Sequence, residues 1–266
     1  MIKTPREVEL MAQSGALLAQ VFQALDRLPM EGMSTLAIND FVERMIVDEL
    51  QARPASIGQY DYAYALNASV DHVICHGVPS ADEVLRSGQI VNLDITLEKN
   101  GYIADSSTTY LIGEVAHPAK RLVASAYNAM WKGIAAVRPG ARLGDIGHAI
   151  ERYARAQGYS VVKEYCGHGI GRQMHEEPQV LHYGRPGTGL ELQEGMVFTI
   201  EPMINQGRAA IRSEPDTWPV YTRDGKLSAQ FEHTVAVTRT GARVLTLRAG
   251  EQPPLALAGQ GVAGRS

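Results

Sequence analysis

The sequence predicts an α+β fold in which an antiparallel β-sheet is covered by two pairs of helices. Three observations indicate this class. Apolar residues recur at helical spacing in two pairs of segments, and each pair is followed by segments that alternate apolar and polar residues. The dipeptide Asn100-Gly101 is a strong signal for a β-hairpin. Antiparallel strands with helices on one face are typical of the α+β class.

The first helix pair lies near the start of the chain. Apolar residues at helical spacing predict a helix over residues 5–28, with Pro5 at its first turn. Ser34 is a suitable N-cap for a second helix, and Pro54 would stop that helix.

A second pair of helices is predicted over residues 117–140 and 142–158. Both pairs share the order helix, Pro/Gly turn, capped helix and β-rich stretch, which indicates a weak internal repeat. We therefore expect one domain of residues 1–250, built from two halves of about 1–112 and 113–250, with a site at their junction. Residues 251–266 are rich in Gly, Ala and Pro and are expected to form a flexible tail.

Four segments alternate in the manner of strands: residues 89–99, 100–113, 196–204 and 228–238. The first two form the predicted hairpin around Asn100-Gly101. The last two each carry one glutamate in an apolar setting.

Four carboxylates occupy these strands: Asp94, Asp105, Glu201 and Glu232. A hairpin turn centred between Lys99 and Asn100 would place the two aspartates directly opposite, with Cβ atoms roughly 4.5 to 5.5 Å apart. An isolated aspartate on a strand usually faces solvent or caps a turn, but two opposed carboxylates repel each other unless a cation or a proton separates them. The acids therefore indicate a cation site.

His168 adds an imidazole to this set. A tetrahedral zinc site rarely contains so many carboxylates, and calcium sites do not favour imidazole. Two divalent transition-metal ions bridged by carboxylates fit best, and such pairs activate water for hydrolysis.

Three histidines, His168, His175 and His182, are spaced seven residues apart in EYCGHGIGRQMHEEPQVLHY. A helix would place all three on one face, but the glycines at the start of the segment and Pro178 argue against a helix. An extended chain would alternate them between faces, so the three roles must differ.

The motifs VNLDITLEKNGYIADSS, YCGHGIGRQMHEEP, FTIEPM and SAQFEHT together resemble the type I methionine aminopeptidases, in particular the short bacterial form, over residues 2–247. The resemblance implies a pita-bread fold with twofold pseudosymmetry and two divalent metal ions. It also implies removal of the initiator methionine from nascent proteins and peptides by a metal-activated hydroxide, preferentially when the second residue is small.

Carried over residue by residue, the resemblance implies that Asp94 binds one ion and that Asp105 and Glu232 bridge both. His168 and Glu201 would complete the ligands of the other ion, and Glu201 would accept and relay the proton of the attacking water.

The resemblance also implies substrate contacts. His76 in VICHGVPS would face the scissile nitrogen, and His175 would donate a hydrogen bond to the scissile carbonyl oxygen. His182 matches neither role, so we expect a surface or packing role for it.

The pocket for the methionine side chain would be lined by Tyr62, Met174 and Trp218, although core packing is an equal alternative for Met174. Asn67 and Asp71 depart from the family pattern, which has a small residue and an asparagine there. Both are expected to border the pocket, so metal chemistry is a safer expectation than fine specificity.

Three other kinds of protein are alternatives to this assignment. Prolidase and aminopeptidase P share the fold and ligands but usually carry a large N-terminal domain, whereas this chain begins at the first catalytic helix. Creatinase-like members lack the metal ligands that are present here. A binding protein of the same fold, recognising polypeptide N-termini or ribosomes, would be expected to have lost ligands.

Composition sets the remaining expectations. The 266 residues carry a formal net charge of −4, which excludes a general electrostatic attraction to nucleic acid or to an anionic membrane. Two cysteines and a charged N-terminus favour a cytoplasmic protein without disulfides or a signal peptide. The sequence gives no sign of its oligomeric state, so a monomer is the default expectation. No basic extension would tether the chain to the ribosome, so docking there would need a surface patch. Iron, manganese, cobalt and zinc all stay open as the metal.

Overall fold

The computed structural model describes residues 1–253, and these form one large antiparallel sheet, two small sheets and four α-helices. The predicted α+β class is confirmed. Of the expected tail, residues 254–266 lie outside the described residues, whereas Glu251 accepts hydrogen bonds from Tyr127 Oη and Arg248 N. None of the described helices is both long and apolar enough to cross a membrane.

The helices match the two predicted pairs. Their bounds are α1 (Pro5–Leu25), α2 (Thr35–Arg44), α3 (His117–Ala135) and α4 (Leu143–Ala156); a π-helical turn, Met45–Glu49, extends α2, and a 3₁₀ turn spans Gln59–Asp61. Ser34 caps α2 as expected, because its hydroxyl accepts a hydrogen bond from the N–H of Ala37 at 3.1 Å. The first helix stops at Leu25, three residues earlier than predicted, where the chain tightens into a turn.

The strands are short apart from those of the hairpin. They are β1 (Arg53–Pro54), β2 (Leu66–Val70), β3 (Val73–Cys75), β4 (Ile90–Lys99), β5 (Tyr102–Leu111), β6 (Ser160–Val161), β7 (Gly167–Gly169), β8 (Glu176–Val180), β9 (Val197–Ile200), β10 (Met203–Asn205), β11 (Ile211–Ser213), β12 (Val220–Thr222), β13 (Ser228–Gln230), β14 (Glu232–Val237) and β15 (Ala242–Val244).

The main sheet has nine strands in the order β1-β4-β5-β14-β9-β7-β8, with β2 added on β4 and β15 on β14. The two small sheets have the orders β13-β10-β6 and β11-β12-β3. Each helix pair has its own apolar cluster: α1 and α2 pack on β2 and β4 through residues such as Phe22 and Leu93, whereas α3 and α4 pack on β9 and β14 through residues such as Trp131 and Phe198.

The hairpin register differs from the one expected. Asp94 lies opposite Ser107, and Asp105 lies opposite Thr96, so the two aspartates are diagonal rather than direct partners. The reason is the turn, which consists of Asn100 and Gly101, both with positive φ, and is centred between them rather than before Asn100. Diagonal neighbours still share one face, and the two carboxyl groups stay within hydrogen-bonding reach.

Each of the last two predicted strands is divided between two sheets. The chain leaves the main sheet after β9 and enters a small sheet as β10, so Glu201 lies at the break, next to Pro202, rather than inside a strand. In the same way, Phe231 separates β13 from β14, and Glu232 is the first residue of β14. Both glutamates therefore lie where the main sheet meets the β13-β10-β6 sheet.

Candidate metal centre and substrate pocket

A cavity of about 720 Å³ opens between the main sheet and the two small sheets. The structure brings every predicted site residue to its walls: Tyr62, His76, Asp94, Asp105, His168, Met174, His175, Glu201, Trp218 and Glu232. Four different strands and their connecting loops supply the acids and His168, so the cluster depends on sheet pairing rather than on local spacing.

The acids and His168 form a compact group. Asp105, His168 and Glu232 each offer one ligand atom, and these atoms lie within 4.8 Å of one another. His168 Nε2 is 3.8 Å from Asp105 Oδ2 and 3.5 Å from Glu201 Oε1. Separations of this size leave room for a cation between the groups.

The protonation of the acids is strongly perturbed by their surroundings. Burial raises the pKa of Asp94 to about 6, and burial together with the charge of Asp94 raises the pKa of Glu201 to about 8. For Asp105 and Glu232, burial and the neighbouring carboxylates hold the pKa well above its usual range. A bound cation would stabilise the ionised form of these four carboxyl groups, because it would offset the repulsion between their negative charges.

His168 has the opposite shift, since burial and the nearby His175 lower its pKa to about 4. Its imidazole is therefore neutral at physiological pH, which is the form that binds metal. Asp105 Oδ1 and Glu232 Oε1 are buried and have no hydrogen-bond partner among residues 1–253. Buried oxygens of this kind call for a partner. With the neutral imidazole between them, these atoms fit a divalent metal ion.

Three residues hold Glu201 in place, a role that the sequence did not predict for any of them. The Thr199 hydroxyl donates to Glu201 Oε1 at 2.8 Å and accepts from the N–H of His168 at 2.9 Å. The Gln230 amide donates to Glu201 Oε2 at 3.2 Å. Thr199 lies two residues before Glu201, and Gln230 lies two residues before Glu232. Residues two apart on a strand face the same side, so this spacing could have indicated that both side chains point toward the acids.

The third holder is His182, for which a surface or packing role was expected. It is fully buried, so the surface alternative is wrong. Its Nε2 accepts a hydrogen bond from the N–H of Glu201 at 3.1 Å. The last of the three spaced histidines thus fixes the backbone of Glu201 and does not line the cavity.

The other two predicted histidines stand on the cavity wall. The ring of His175 lies 4.4 Å from the ring of His168, and His76 packs edge-on against Tyr165 at 5.4 Å and Trp218 at 6.3 Å. Burial, and for His76 also the nearby His175, lowers the pKa of both, to about 4 in His76. Each is a neutral imidazole with one N–H to donate.

The predicted pocket residues form an apolar wall. The rings of Tyr62 and Trp218 meet edge-on at 5.0 Å, and the Tyr62 hydroxyl donates to the carbonyl of Leu66 at 2.9 Å. Met174 is 7% exposed, and it both lines the cavity and packs in a cluster with Ile103, so the two alternatives for this residue apply together.

Of the two departures from the family pattern, only one borders the pocket. Asn67 lines the cavity and lies opposite Asp94 on the neighbouring strand, and its amide opposes the burial that raises the pKa of the Asp94 carboxyl group. Asp71 was expected there too, but its carboxylate accepts from the N–H of Ile90 at 3.0 Å and from the Gln89 amide at 3.1 Å. The positive φ of Asp71 places it in a turn beyond β2, away from the cavity wall.

Comparison with known proteins agrees with this geometry. The pattern of metallopeptidase family M24 matches residues 9–239. Methionine aminopeptidase B from Synechocystis sp. is 46% identical over 247 residues, which cover 91% of this chain and 90% of that protein. The crystal structure of methionine aminopeptidase from Rickettsia prowazekii matches with a TM-score of 0.90 and 45% identity, and covers 93% of this chain and 99% of that chain.

The prolidase from Pyrococcus furiosus is a weaker match. Its TM-score is 0.72 at 22% identity, and the alignment covers 92% of this chain but 65% of the prolidase. At that identity the likeness concerns the fold alone. With a family match over most of its length, the chain belongs to metallopeptidase family M24 and shares the pita-bread fold of the methionine aminopeptidases.

Proposed function

We propose that this chain is a methionine aminopeptidase that removes the initiator methionine from nascent proteins and peptides, preferentially when the second residue is small. The observation that carries the proposal is that one cavity contains both the acid and histidine cluster and the apolar wall of Tyr62, Met174 and Trp218. Its relatives that bear this name align over nearly their whole length.

The proposed cofactors are two divalent ions, with cobalt, manganese, iron and zinc as candidates. Asp94, Asp105 and Glu232 would hold one ion, and Asp105, Glu232, His168 and Glu201 the other. When bound, such ions lower the pKa of water and polarise a carbonyl group. The buried, partnerless oxygens of Asp105 and Glu232 support the assignment of these two acids as bridging ligands.

Glu201 is the proposed proton acceptor. Its side chain is fixed by Thr199 and Gln230, so the carboxylate faces the cavity in one orientation. Burial and the charge of Asp94 raise its pKa when no ion is bound, and a cation in the cluster would oppose that rise and keep the carboxylate ionised. An ionised carboxylate here can accept a proton from water and later return it to the leaving amine.

The two wall histidines orient the substrate. As neutral imidazoles, His175 would donate a hydrogen bond to the scissile carbonyl oxygen as negative charge develops there, and His76 would contact the scissile nitrogen. The aromatic edges of Tyr62 and Trp218 suit a thioether side chain, which makes favourable contacts with aromatic rings.

The proposal extends to the organisation of the chain and its partners. Residues 1–250 would form a single catalytic domain of two halves, which is supported by the separate apolar cluster beneath each helix pair. The partners would be the N-termini of nascent chains, met by a monomer in the cytoplasm, where such chains emerge.

The test is kcat/KM of metal-stripped protein and of protein reloaded with Mn²⁺ or Co²⁺, on peptides beginning Met-Ala, Met-Lys, Leu-Ala and Ala-Pro. We expect metal-dependent release of methionine from the Met-Ala peptide and little turnover of the others. Cleavage of the Ala-Pro peptide would move the chain to the proline-directed branch, and no turnover with metal bound would indicate a binding protein.

Glu201→Gln is the matched variant for the chemistry. We expect kcat to fall far more than KM rises, because the proton acceptor is lost while the pocket stays intact. Metal content must be measured in parallel, since Glu201 is also a proposed ligand. An unchanged kcat at full metal content would remove Glu201 from the mechanism.

A further inference from the structure

The loop that carries His175 has no regular secondary structure of its own. Residues 170–175 connect β7 to β8, and residues 171–175 of this connection are hereafter called the His175 loop. Glu176, the next residue, holds the loop through one carboxylate oxygen: Oε1 accepts hydrogen bonds from the N–H of Arg172 at 3.1 Å and of Gln173 at 3.3 Å. The path of the loop therefore depends on where the Glu176 carboxylate lies.

The second oxygen of this carboxylate is bound by the N-terminal segment. Lys3 Nζ lies 2.5 Å from Glu176 Oε2, and the two side chains are only 10% and 18% exposed. Gly171 makes this contact feasible, because a Cβ at that position would lie 2.3 Å from Lys3 Nζ and 2.6 Å from Glu176 Oε1. Because glycine has no side chain, position 171 leaves space for the ion pair between Lys3 and Glu176.

Lys3 is itself anchored to the main sheet. Its N–H donates to the carbonyl of Gly195 at 2.7 Å, and Ile2 forms an antiparallel bridge with Met196. Met196 directly precedes β9, the strand that carries Thr199 and ends beside Glu201. The lysine thus ties the His175 loop to the strand that positions the proposed proton acceptor.

Lys3 is the cation that pairs with Glu176 within residues 1–253. Arg172, although close, is occupied elsewhere: its guanidinium lies 4.5 Å from the centre of the Tyr102 ring and donates to the Tyr102 hydroxyl at 2.9 Å. Burial alone would raise the pKa of Glu176, but the hydrogen bonds from Lys3 and from the loop N–H groups lower it. The carboxylate is therefore ionised at neutral pH and able to accept all three bonds.

We propose that Lys3 is a positioning residue for peptide-bond cleavage, which acts through Glu176 and the His175 loop to aim the His175 imidazole at the scissile carbonyl oxygen. The proposal rests on the proposed aminopeptidase function. Without the cation, a partly buried carboxylate loses its main partner and turns toward solvent, which releases two loop N–H groups. The loop and its histidine then shift.

The first test compares Lys3→Met with Lys3→Arg on a Met-Ala peptide. Lys3→Met keeps the apolar stem, and a displacement of about 1 Å at an orienting group can cost about 100-fold in rate, so we expect kcat to fall about 10- to 100-fold. We expect KM to change less than kcat, because Tyr62 and Trp218 lie outside the loop and stay in place, although Met174 moves with it. Lys3→Arg should restore most of kcat, since it keeps a cation on Glu176.

Arg243→Met is the matched control. Arg243 donates at 3.0 Å to Glu9 in α1, the helix that follows Lys3, but this pair is exposed and neither residue lines the cavity. Its loss should leave kcat and KM unchanged. Metal content and thermal midpoint are recorded for each variant. If Lys3→Met does not fold, Glu176→Gln should reproduce the kcat loss, because it keeps one acceptor oxygen for the loop N–H groups but loses the charge and the second oxygen that binds Lys3.

The decisive measurement is the effect of Lys3→Met in a His175→Ala background. If Lys3 acts through His175, the double variant is no slower than His175→Ala alone. Equal losses in both backgrounds, or wild-type kcat in Lys3→Met, would overturn the proposal. Failure of the proposed function is distinct, because then the wild-type protein itself releases no methionine.

Discussion

The metal-free protein is expected to lose stability as the pH rises from 6.5 to 8. The cause is the acid cluster, in which Glu201 has a pKa of about 8 in the folded state against an ordinary value of 4.5. A raised pKa means that the folded state binds the proton more tightly than the unfolded chain. The resulting stability is complete below the ordinary value and is lost as the pH rises through the folded value.

The lower limit of this pH range is set by the buried histidines. Burial lowers the pKa of His76 and His168 to about 4 and that of His182 to about 3, from an ordinary value of 6.5. Their contribution is present above 6.5 and is lost only as the pH falls below it. Between pH 6.5 and 8 the acids therefore dominate the change.

The magnitude follows from the shift of Glu201. Between these pH values the lost stabilisation from this residue is about 2 kcal/mol, at about 1.4 kcal/mol per pKa unit. For a chain of this length about 2 kcal/mol corresponds to a fall of about 4 °C in the thermal midpoint. Asp105 and Glu232 shift in the same direction, so they add to the fall.

The assay is calorimetry of chelator-treated protein at pH 6.5 and pH 8, at constant ionic strength, beside protein saturated with Mn²⁺. We expect the midpoint of the saturated protein to hold steady or to rise with pH, because metal competes with protons for the same oxygens. Glu201→Gln should reduce the fall in the metal-free form. A metal-free midpoint that is constant or rising over this range would refute the reasoning.

Three further outcomes are expected. His175→Ala should lower kcat on a Met-Ala peptide about 10²- to 10³-fold with little change in KM, as for the loss of one donor to a developing oxyanion, and single-turnover kinetics would check this. Trp218→Ala should raise KM for methionyl peptides about tenfold, since an aromatic wall of the pocket is lost, and should narrow the preference for Met over Leu in competition assays. Gly77→Ala should lower the thermal midpoint, because its Cβ would lie 2.0 Å from the carbonyl oxygen of Ala68 and would push apart the backbone next to His76; overpacking of this kind costs about 1 to 3 kcal/mol.

Local features of the fold could be predicted from the sequence because their causes are local. Alternation of apolar residues predicted β4 and β5, and the Ser34 hydroxyl marked the start of α2. The register of the hairpin was nevertheless displaced, because it depends on which two residues form the turn. A shift of the turn centre by one residue changes every cross-strand partner by two.

The sequence indicated which residues belong to the candidate site, but it did not indicate which residues hold them in position. Glu232 reaches Asp105 through the pairing of β14 with β5, and Glu201 reaches His168 through the pairing of β9 with β7. The register between strands that are distant in sequence cannot be predicted from residue spacing along the chain. The same limit explains why the link from Lys3 to Glu176 was not foreseen, since 173 residues separate the two.

The groups that hold Glu201 have one property in common, which is that they are neutral. They are the Thr199 hydroxyl, the Gln230 amide and the His182 imidazole, whose pKa burial lowers to about 3. A lysine or arginine in their place would neutralise Glu201 and weaken its hold on a metal ion. No lysine or arginine of residues 1–253 lines the cavity, so the negative charge of the acids is left for the ions to balance. The Lys3 and Glu176 pair satisfies the same condition. Lys3 does not line the cavity, and its positive charge is matched by Glu176, a carboxylate that is not a proposed metal ligand.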